Sequence, residues 1–193
     1  MKKIVWFMHV SLDGFVAGPN GEMNWITVDE EIFDYAGART SAADMALYGR
    51  VTWEMMEAYW PTAGDRPNAS KHDIEHSTWY KQVPKIVLSR SRQGDAQPLT
   101  TFIGENIAEQ IKQLKQGDGK DIVIFGSPSA GHLLLQNGLV DDLWLFVNPV
   151  LIGKGIPMFP ELTERVKLKL VECTRFENDV VCLHYECAQP PIY

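Results

Sequence analysis

The feature that most constrains this chain is a regular exchange between runs of β-branched and aromatic residues and amphipathic stretches, the pattern of an α/β domain built on a largely parallel sheet. Strands are expected at 4–10, 15–17, 43–48, 85–89, 99–103, 121–125 and 143–147. Helices are expected at 29–39, from Gly49 to Met56, from Ile74 to Gln82 and over 106–115, and a further one carries Leu133, Leu134 and Leu135 and ends at Asn137-Gly138. The polar, proline-bearing segment 61–70 reads as a mobile loop. Two closing strands, 167–172 and 180–186, are joined by a Glu177-Asn178-Asp179 turn and form an antiparallel hairpin. The fold class is therefore α/β, with a central, mostly parallel sheet of about eight strands. No repeat or linker interrupts the pattern, so residues 1–193 are expected to form one domain.

Composition narrows the function. Eighteen basic and 25 acidic residues give a net charge of −7, which argues against a general nucleic-acid or anionic-membrane surface and requires any bound anion to be held locally. Six tryptophans, six tyrosines and eight phenylalanines suit a packed interior. The start reaches His9, Ser11 and Asp13 before any long apolar stretch, so neither a signal peptide nor a membrane span is expected, and the protein is read as cytoplasmic. Cys173, Cys182 and Cys187 lack the spacing of a metal site or disulfide framework and read as small apolar residues in a reducing compartment. His72 and His76 stand at i and i+4 but lack further ligands; they read as part of a solvated helix, and no metal is expected.

Three junctions carry residues suited to anions. The first is Gly49-Arg50-Val51-Thr52-Trp53-Glu54, the second Ser89-Arg90-Ser91, the third Gly126-Ser127-Pro128-Ser129-Ala130-Gly131. At each, small residues let the backbone approach a ligand, a new helix offers unpaired N–H groups, or an arginine adds a permanent cation. In an open α/β sheet such junctions gather at the carboxyl ends of the strands, where ligands bind. There is no G-x-G-x-x-G after the first strand and no P-loop string, so a phosphate ligand must be held in another way.

Together with Ser11-Leu12-Asp13-Gly14, Trp25-Ile26-Thr27, Leu139-Val140-Asp141-Asp142-Leu143 and Gly153-x-Gly155-Ile156-Pro157-Met158-Phe159-Pro160, these strings resemble the dihydrofolate reductase superfamily. Within it, the likeness is to the reductase domain of bacterial riboflavin biosynthesis and its stand-alone relatives, and it covers nearly the whole chain. The resemblance implies a three-layer α/β/α fold, a homodimer, and NADPH bound across the carboxyl edge of the sheet. Hydride would pass to a pterin-like or aminopyrimidine heterocycle of the 5-amino-6-(5-phosphoribosylamino)uracil type.

By that resemblance Gly49, Arg50, Val51 and Thr52 hold the pyrophosphate, and Arg50 with Ser89 and Arg90 meets the adenosine 2′-phosphate. Gly126, Ser127, Ser129, Ala130 and Gly131 face the pyrophosphate from the other side, while His9, Val16 and Ala17 border the nicotinamide. Trp25 and Phe33 pack on the substrate. The acid that stabilises a protonated substrate is either Asp29, placed by Phe33, or Glu30, counted from Trp25; both also suit the positive end of a helix. The chain departs from the family in having Ser127 where a second glycine would stand, which tolerates fewer backbone conformations, and Pro157 where a threonine would donate to the acid. Those departures favour an aminopyrimidine or another small heterocycle over folate. The string His-x-Glu…Pro-Cys-x-x-Cys of the zinc deaminases fused to such reductases is absent, and 193 residues leave no room for such a partner domain. A non-catalytic NADP or metabolite-binding protein on the same fold is the alternative, and an interaction module reusing the fold is a third reading.

Overall fold

The computed structural model describes residues 1–160, 162 and 164–188. In chain order the elements are β1 (Ile4–Ser11), β2 (Phe15–Ala17), α1 (Glu30–Thr40), β3 (Ala43–Gly49), α2 (Arg50–Ala63), α3 (Lys71–Gln82), β4 (Lys85–Leu88) and β5 (Thr100–Ile103). They continue with α4 (Ile107–Gln116), β6 (Asp121–Phe125), α5 (Pro128–Gln136), β7 (Asp142–Asn148), β8 (Ile156–Pro157), β9 (Leu168–Arg175) and β10 (Val181–Cys187). Eight strands form one sheet in the order β5-β4-β3-β6-β1-β7-β10-β9. Neighbours from β5 to β7 are parallel, and β10 runs antiparallel to both β7 and β9. This is the mostly parallel sheet with a terminal hairpin that the sequence pattern implies.

Both faces of β1 are buried, which is why it reads as an unbroken apolar run. Ile4, Trp6 and Met8 join Ile111 of α4 and Leu134 and Leu135 of α5 in one core. Val5 and Phe7 join Ile32 of α1, Trp53 of α2 and Tyr80 of α3 in the other. The helices thus form two layers, α1–α3 on one face of the sheet and α4–α5 on the opposite face.

Several boundaries differ from the sequence pattern, among them the end of β9, which runs to Arg175 where 172 was expected. Helix α2 continues through Pro61 to Ala63, where a loop from Pro61 was expected. A proline near a helix end costs one backbone bond, and Ala63 is fully buried there while the Trp60 carbonyl accepts from Ser77 Oγ at 2.7 Å. Helix α3 starts at Lys71 rather than Ile74 because Ser70 and Asp73 form a reciprocal capping box. Strand β8, to which the sequence pattern assigned no element, pairs with β2 in a separate small sheet.

Gly131 illustrates how tightly α5 is laid on the sheet. A Cβ at that position would overlap the Trp6 indole, whose ring is fully buried and whose Nε1 donates to the Gly126 carbonyl at 2.8 Å. Gly131→Ala is therefore expected to destabilise the fold by about 1–3 kcal/mol, the range for overpacking a dense core. Urea denaturation measures this, and a loss below about 0.5 kcal/mol would show that Trp6 moves aside freely.

Candidate functional site at the carboxyl edge of the sheet

Because β3, β4 and β6 run parallel, the three small-residue junctions emerge at the same edge. The first and third touch: the buried Gly49 N–H donates to Ser127 Oγ at 2.8 Å. A Cβ on Gly49 would come to 3.4 Å from Ser129 Oγ and 3.7 Å from the Ala130 Cβ, ordinary contact distances that show how near the two junctions lie. Gly126 and Ser127 both adopt left-handed backbone, with φ of 60° and 53°. The departure from a second glycine is therefore real strain, of the kind a non-glycine residue seldom accepts, and the bond to Gly49 offsets it.

The helix ends at this edge are unlike the others. Asp29 and Ser70 cap α1 and α3 through their side chains, whereas α2, α4 and α5 have no side-chain cap. Those three helices follow β3, β5 and β6, and their first turns can present N–H groups to an anion, in α5 only from Ser129 onward because Pro128 has none. Gly131 supplies no such donor: its N–H is bonded to the Ser127 carbonyl at 2.9 Å, and its role is to clear Trp6. Ala130 is buried at 3% exposure and supplies surface rather than a polar group.

Cations line the same edge. Arg50 Nη1 donates to both carboxylate oxygens of Glu54, at 2.9 and 2.8 Å. Arg92, which the sequence reading passed over in favour of Arg90, lies 3.9 Å from Glu54 and stacks over Trp53 and Phe102 at 5.0 and 5.1 Å. Arg90 is exposed. The only signal for Arg92 was its place two residues beyond Arg90. Ser89 is buried, its N–H donates to the Ile103 carbonyl at 2.9 Å, and its hydroxyl lies 3.3 Å from that of Ser91. Val51 is exposed and Thr52 half-buried; the Thr52 Cγ2 lies 3.6 Å from where a Gly126 Cβ would stand.

At the end of β1, His9 stacks on Phe146 with centroids 4.9 Å apart. Its Nδ1 lies 3.3 Å from Asn148 Nδ2; the amide can only donate, so the remaining ring proton sits on Nε2. Burial pushes the His9 pKa down to about 4, keeping the ring neutral at pH 7. Asn148 is fully buried and accepts from the Thr27 N–H at 2.8 Å, which ties the Trp25-Ile26-Thr27 segment to the sheet. Sequence reasoning missed Asn148, whose partners lie 121 and 139 residues away. Trp25 is half-buried and donates to the Glu22 carbonyl at 3.1 Å.

Val16 and Ala17 are buried in β2. A Cβ on Gly155 would collide with the Ala17 carbonyl, so glycine at 155 permits the β8 segment to lie against this strand. Asp13 accepts from Ser11 Oγ at 2.6 Å and from Gly153 N–H at 2.7 Å; the serine bond first, then the backbone donors, hold its carboxyl below the usual range. Its part is to clamp the 150–155 loop to the end of β1.

The two candidate acids separate. Asp29 caps α1, with Oδ1 accepting from Ile32 N–H at 3.0 Å and Oδ2 from Asn178 Nδ2 at 2.6 Å. Glu30 is exposed. Phe33 stacks face to face on His72, with centroids 3.8 Å apart and planes 5° from parallel.

The reading of His72 and His76 as solvated is corrected. His76 stands among Trp60 at 4.1 Å, Trp79 at 5.1 Å, His72 at 5.3 Å and Phe125 at 5.5 Å. Burial, then the neighbouring His72, pushes its pKa down to about 3. The i, i+4 spacing placed both rings on one face, but the face turns inward toward aromatics that come from other elements. Among the described residues no group of three or more His, Cys, Asp or Glu could hold a metal. A groove of about 740 Å³ lined by Met45, Ile86, Leu99, Gln110 and Gln113 lies at the opposite edge and shares no residue with the site.

Burial lowers three histidines, His72 among them, and two of these, His9 and His76, are lowered far enough to set a pH dependence. Their ordinary value is 6.5, against about 4 for His9 and about 3 for His76 in the fold. Below pH 6.5 the unfolded chain takes up protons that the folded chain refuses, so stability is complete above 6.5 and declines as pH falls toward 4. The slope reaches about 1.4 kcal/mol per pH unit for each histidine. His76→Gln is expected to remove one proton's worth of that slope in denaturation curves between pH 7 and 4.5; an unchanged slope would refute the assignment.

Residues 2–182 match the RibD C-terminal domain family. An uncharacterized protein of Bacillus subtilis (strain 168), YyaP, is 32% identical over 188 residues, covering 95% of this chain and 94% of its own. A pyrimidine reductase-like protein from Corynebacterium diphtheriae superposes with a TM-score of 0.67 at 16% identity, covering 98% of this chain and 93% of that one. The diaminohydroxyphosphoribosylaminopyrimidine deaminase/5-amino-6-(5-phosphoribosylamino)uracil reductase of Thermotoga maritima gives 0.66 at 17% identity, with 97% of this chain on 57% of that one. The parallel sheet, its antiparallel C-terminal hairpin and the match along nearly all of its length establish that the chain belongs to the RibD C-terminal domain family.

Proposed function

We propose that this protein is an NADPH-dependent reductase that passes hydride to a small planar heterocycle, an aminopyrimidine of the 5-amino-6-(5-phosphoribosylamino)uracil type or a pterin-like ring. The observation that carries this reading is the convergence of uncapped helix ends, a glycine-bearing contact between two junctions and paired arginines at one sheet edge. The donor set fits the phosphates of a dinucleotide: the α2 end with Thr52, and the α5 end with Ser127 and Ser129, would receive the pyrophosphate, while Arg50, Ser89, Arg90 and Arg92 would meet a 2′-phosphate. NADPH, when bound, supplies the hydride. The names of the reductases from C. diphtheriae and T. maritima support the same class.

The chain's own residues then have distinct tasks. His9, held neutral, and the buried Val16 and Ala17 border the nicotinamide without adding charge. Trp25 and Phe33 offer aromatic faces to the substrate ring. Asp29, fixed by Asn178 and Ile32, is positioned to favour a protonated ring nitrogen, and the exposed Glu30 is the other candidate. A second reading, a nucleotide-binding protein without turnover, draws on the fact that both Asp29 oxygens already accept hydrogen bonds. The three cysteines are free, in keeping with the cytoplasm, and no helix among the described residues is long and apolar enough to cross a membrane.

Titration with NADPH, followed by tryptophan quenching, is expected to saturate below millimolar concentration; no saturation would reject the reductase reading. Asp29→Asn keeps a good N-cap and is expected to lower turnover about 10²–10⁴-fold with unchanged NADPH affinity. If Glu30→Gln alone has that effect, Glu30 is the acid. If NADPH binds and the parent protein shows no turnover on dihydrofolate, a ribosylaminopyrimidine or flavin acceptors, the binding-protein reading stands.

The assembly proposed is a homodimer. Among the described residues strand β9 ends the sheet with one edge unpaired, and Leu168, Leu170 and Val171 on it are 38%, 52% and 48% exposed, an apolar edge suited to a second copy. Light scattering is expected to give twice the chain mass, and Leu170→Lys with Val171→Lys to give the monomer; a monomeric parent protein would reject the assignment.

A further inference from the structure

The cation pair at the edge is not free. Arg50 follows β3 and Arg92 follows β4, strands that lie side by side, and one carboxylate stands between them. Glu54 receives both of its short contacts from Arg50 Nη1, at 2.9 and 2.8 Å, and lies 3.9 Å from Arg92 Nη1. Arg92 is anchored by Asp95, which accepts from its Nε, and by the faces of Trp53 and Phe102. The side chains of Arg50 and Glu54 are 43% and 42% exposed, so water competes for their contact and the pair is weak.

We propose that Glu54 is an internal counter-ion that fills the Arg50–Arg92 pair in the nucleotide-free protein and thereby sets how strongly a 2′-phosphate is preferred to a 2′-hydroxyl. The inference rests on the cofactor reading above and adds a residue to it. A phosphate monoester carries nearly two charges and matches guanidinium forks, so it can displace one carboxylate. The displaced Glu54 is then a like charge beside the phosphate and weakens its binding. A ribose hydroxyl behaves in the opposite way, since an acidic side chain at such a place accepts its hydrogen bond. Glu54 therefore narrows the discrimination that the arginines create.

The test uses the full chain and four probes, NADPH, NADH, 2′,5′-ADP and 5′-AMP, read by calorimetry. Glu54→Gln is expected to tighten NADPH and 2′,5′-ADP about tenfold without tightening NADH or 5′-AMP, and the gain should shrink as salt is raised. Arg92→Ala is expected to weaken the two 2′-phosphorylated probes about tenfold and leave the others nearly unchanged. If every probe binds and Glu54→Gln leaves the NADPH-to-NADH ratio unchanged or lowers it, Glu54 serves to orient Arg50 instead, and this inference falls while the cofactor reading survives. If no probe binds either protein at millimolar concentration, both fall. Because Glu54 is exposed, a melting curve is expected to show Glu54→Gln folded as the parent is, so that a changed ratio reports on the site.

Discussion

One hydrogen bond joins the two halves of the candidate site. The Gly49 N–H and Ser127 Oγ meet 78 residues apart in sequence at 2.8 Å, and each junction depends on the other for its shape. Ser127 holds left-handed backbone at φ 53° while its hydroxyl accepts from a buried donor, and Gly49 lies beside Ser129 and Ala130. Losing the hydroxyl would leave a buried N–H without a partner, a larger penalty than the bond's own net worth. The α2 and α5 ends are brought side by side through this contact, and the edge they form carries the proposed chemistry.

The two edges of the sheet use charge differently. At the amino edge, cations are neutralised: Lys2 pairs with Asp44 at 2.9 Å, Lys3 with Asp142 at 3.0 Å, and the buried Lys115 with Asp141 and the Leu139 carbonyl. Such pairs fix how strands and connections end, and buried ones are kept only with full partners. At the carboxyl edge the α2, α4 and α5 ends lack a side-chain cap, Arg50 is held by the exposed Glu54, and Arg92 is held by Asp95 and two aromatic faces. An acidic protein can present an anion site only where its local field departs from the net charge.

The other half of the edge is shaped by neutral contacts. Asn148 joins β7, His9 and the Thr27 backbone, and Asp13 holds the 150–155 loop to β1. Asp29 was legible as a first-turn acid, yet its bond to Asn178 was not, because the turn between β9 and β10 approaches α1 only after the antiparallel hairpin has been added to the sheet. The same holds for Glu54, which stands in plain view within the Gly49–Glu54 string and acquires meaning only when Arg92 arrives from the neighbouring junction.

What the amino-acid sequence determined by itself was local: the periodicities that set strands and helices, the glycines and small residues that mark the junctions, and the net charge that confines anions to a local site. Tertiary structure decided which side chains share a neighbourhood. Helical spacing put His72 and His76 on one face, but only packing against Trp60, Trp79 and Phe125 made that face an interior one. Gly131 lay inside an anion-friendly string, yet the position of Trp6 across the layer gave it a packing role. Periodicity depends on neighbours along the chain and is written there; burial, charge pairing and the choice of partner depend on distances across the sheet, and these are fixed only when the strands take their places.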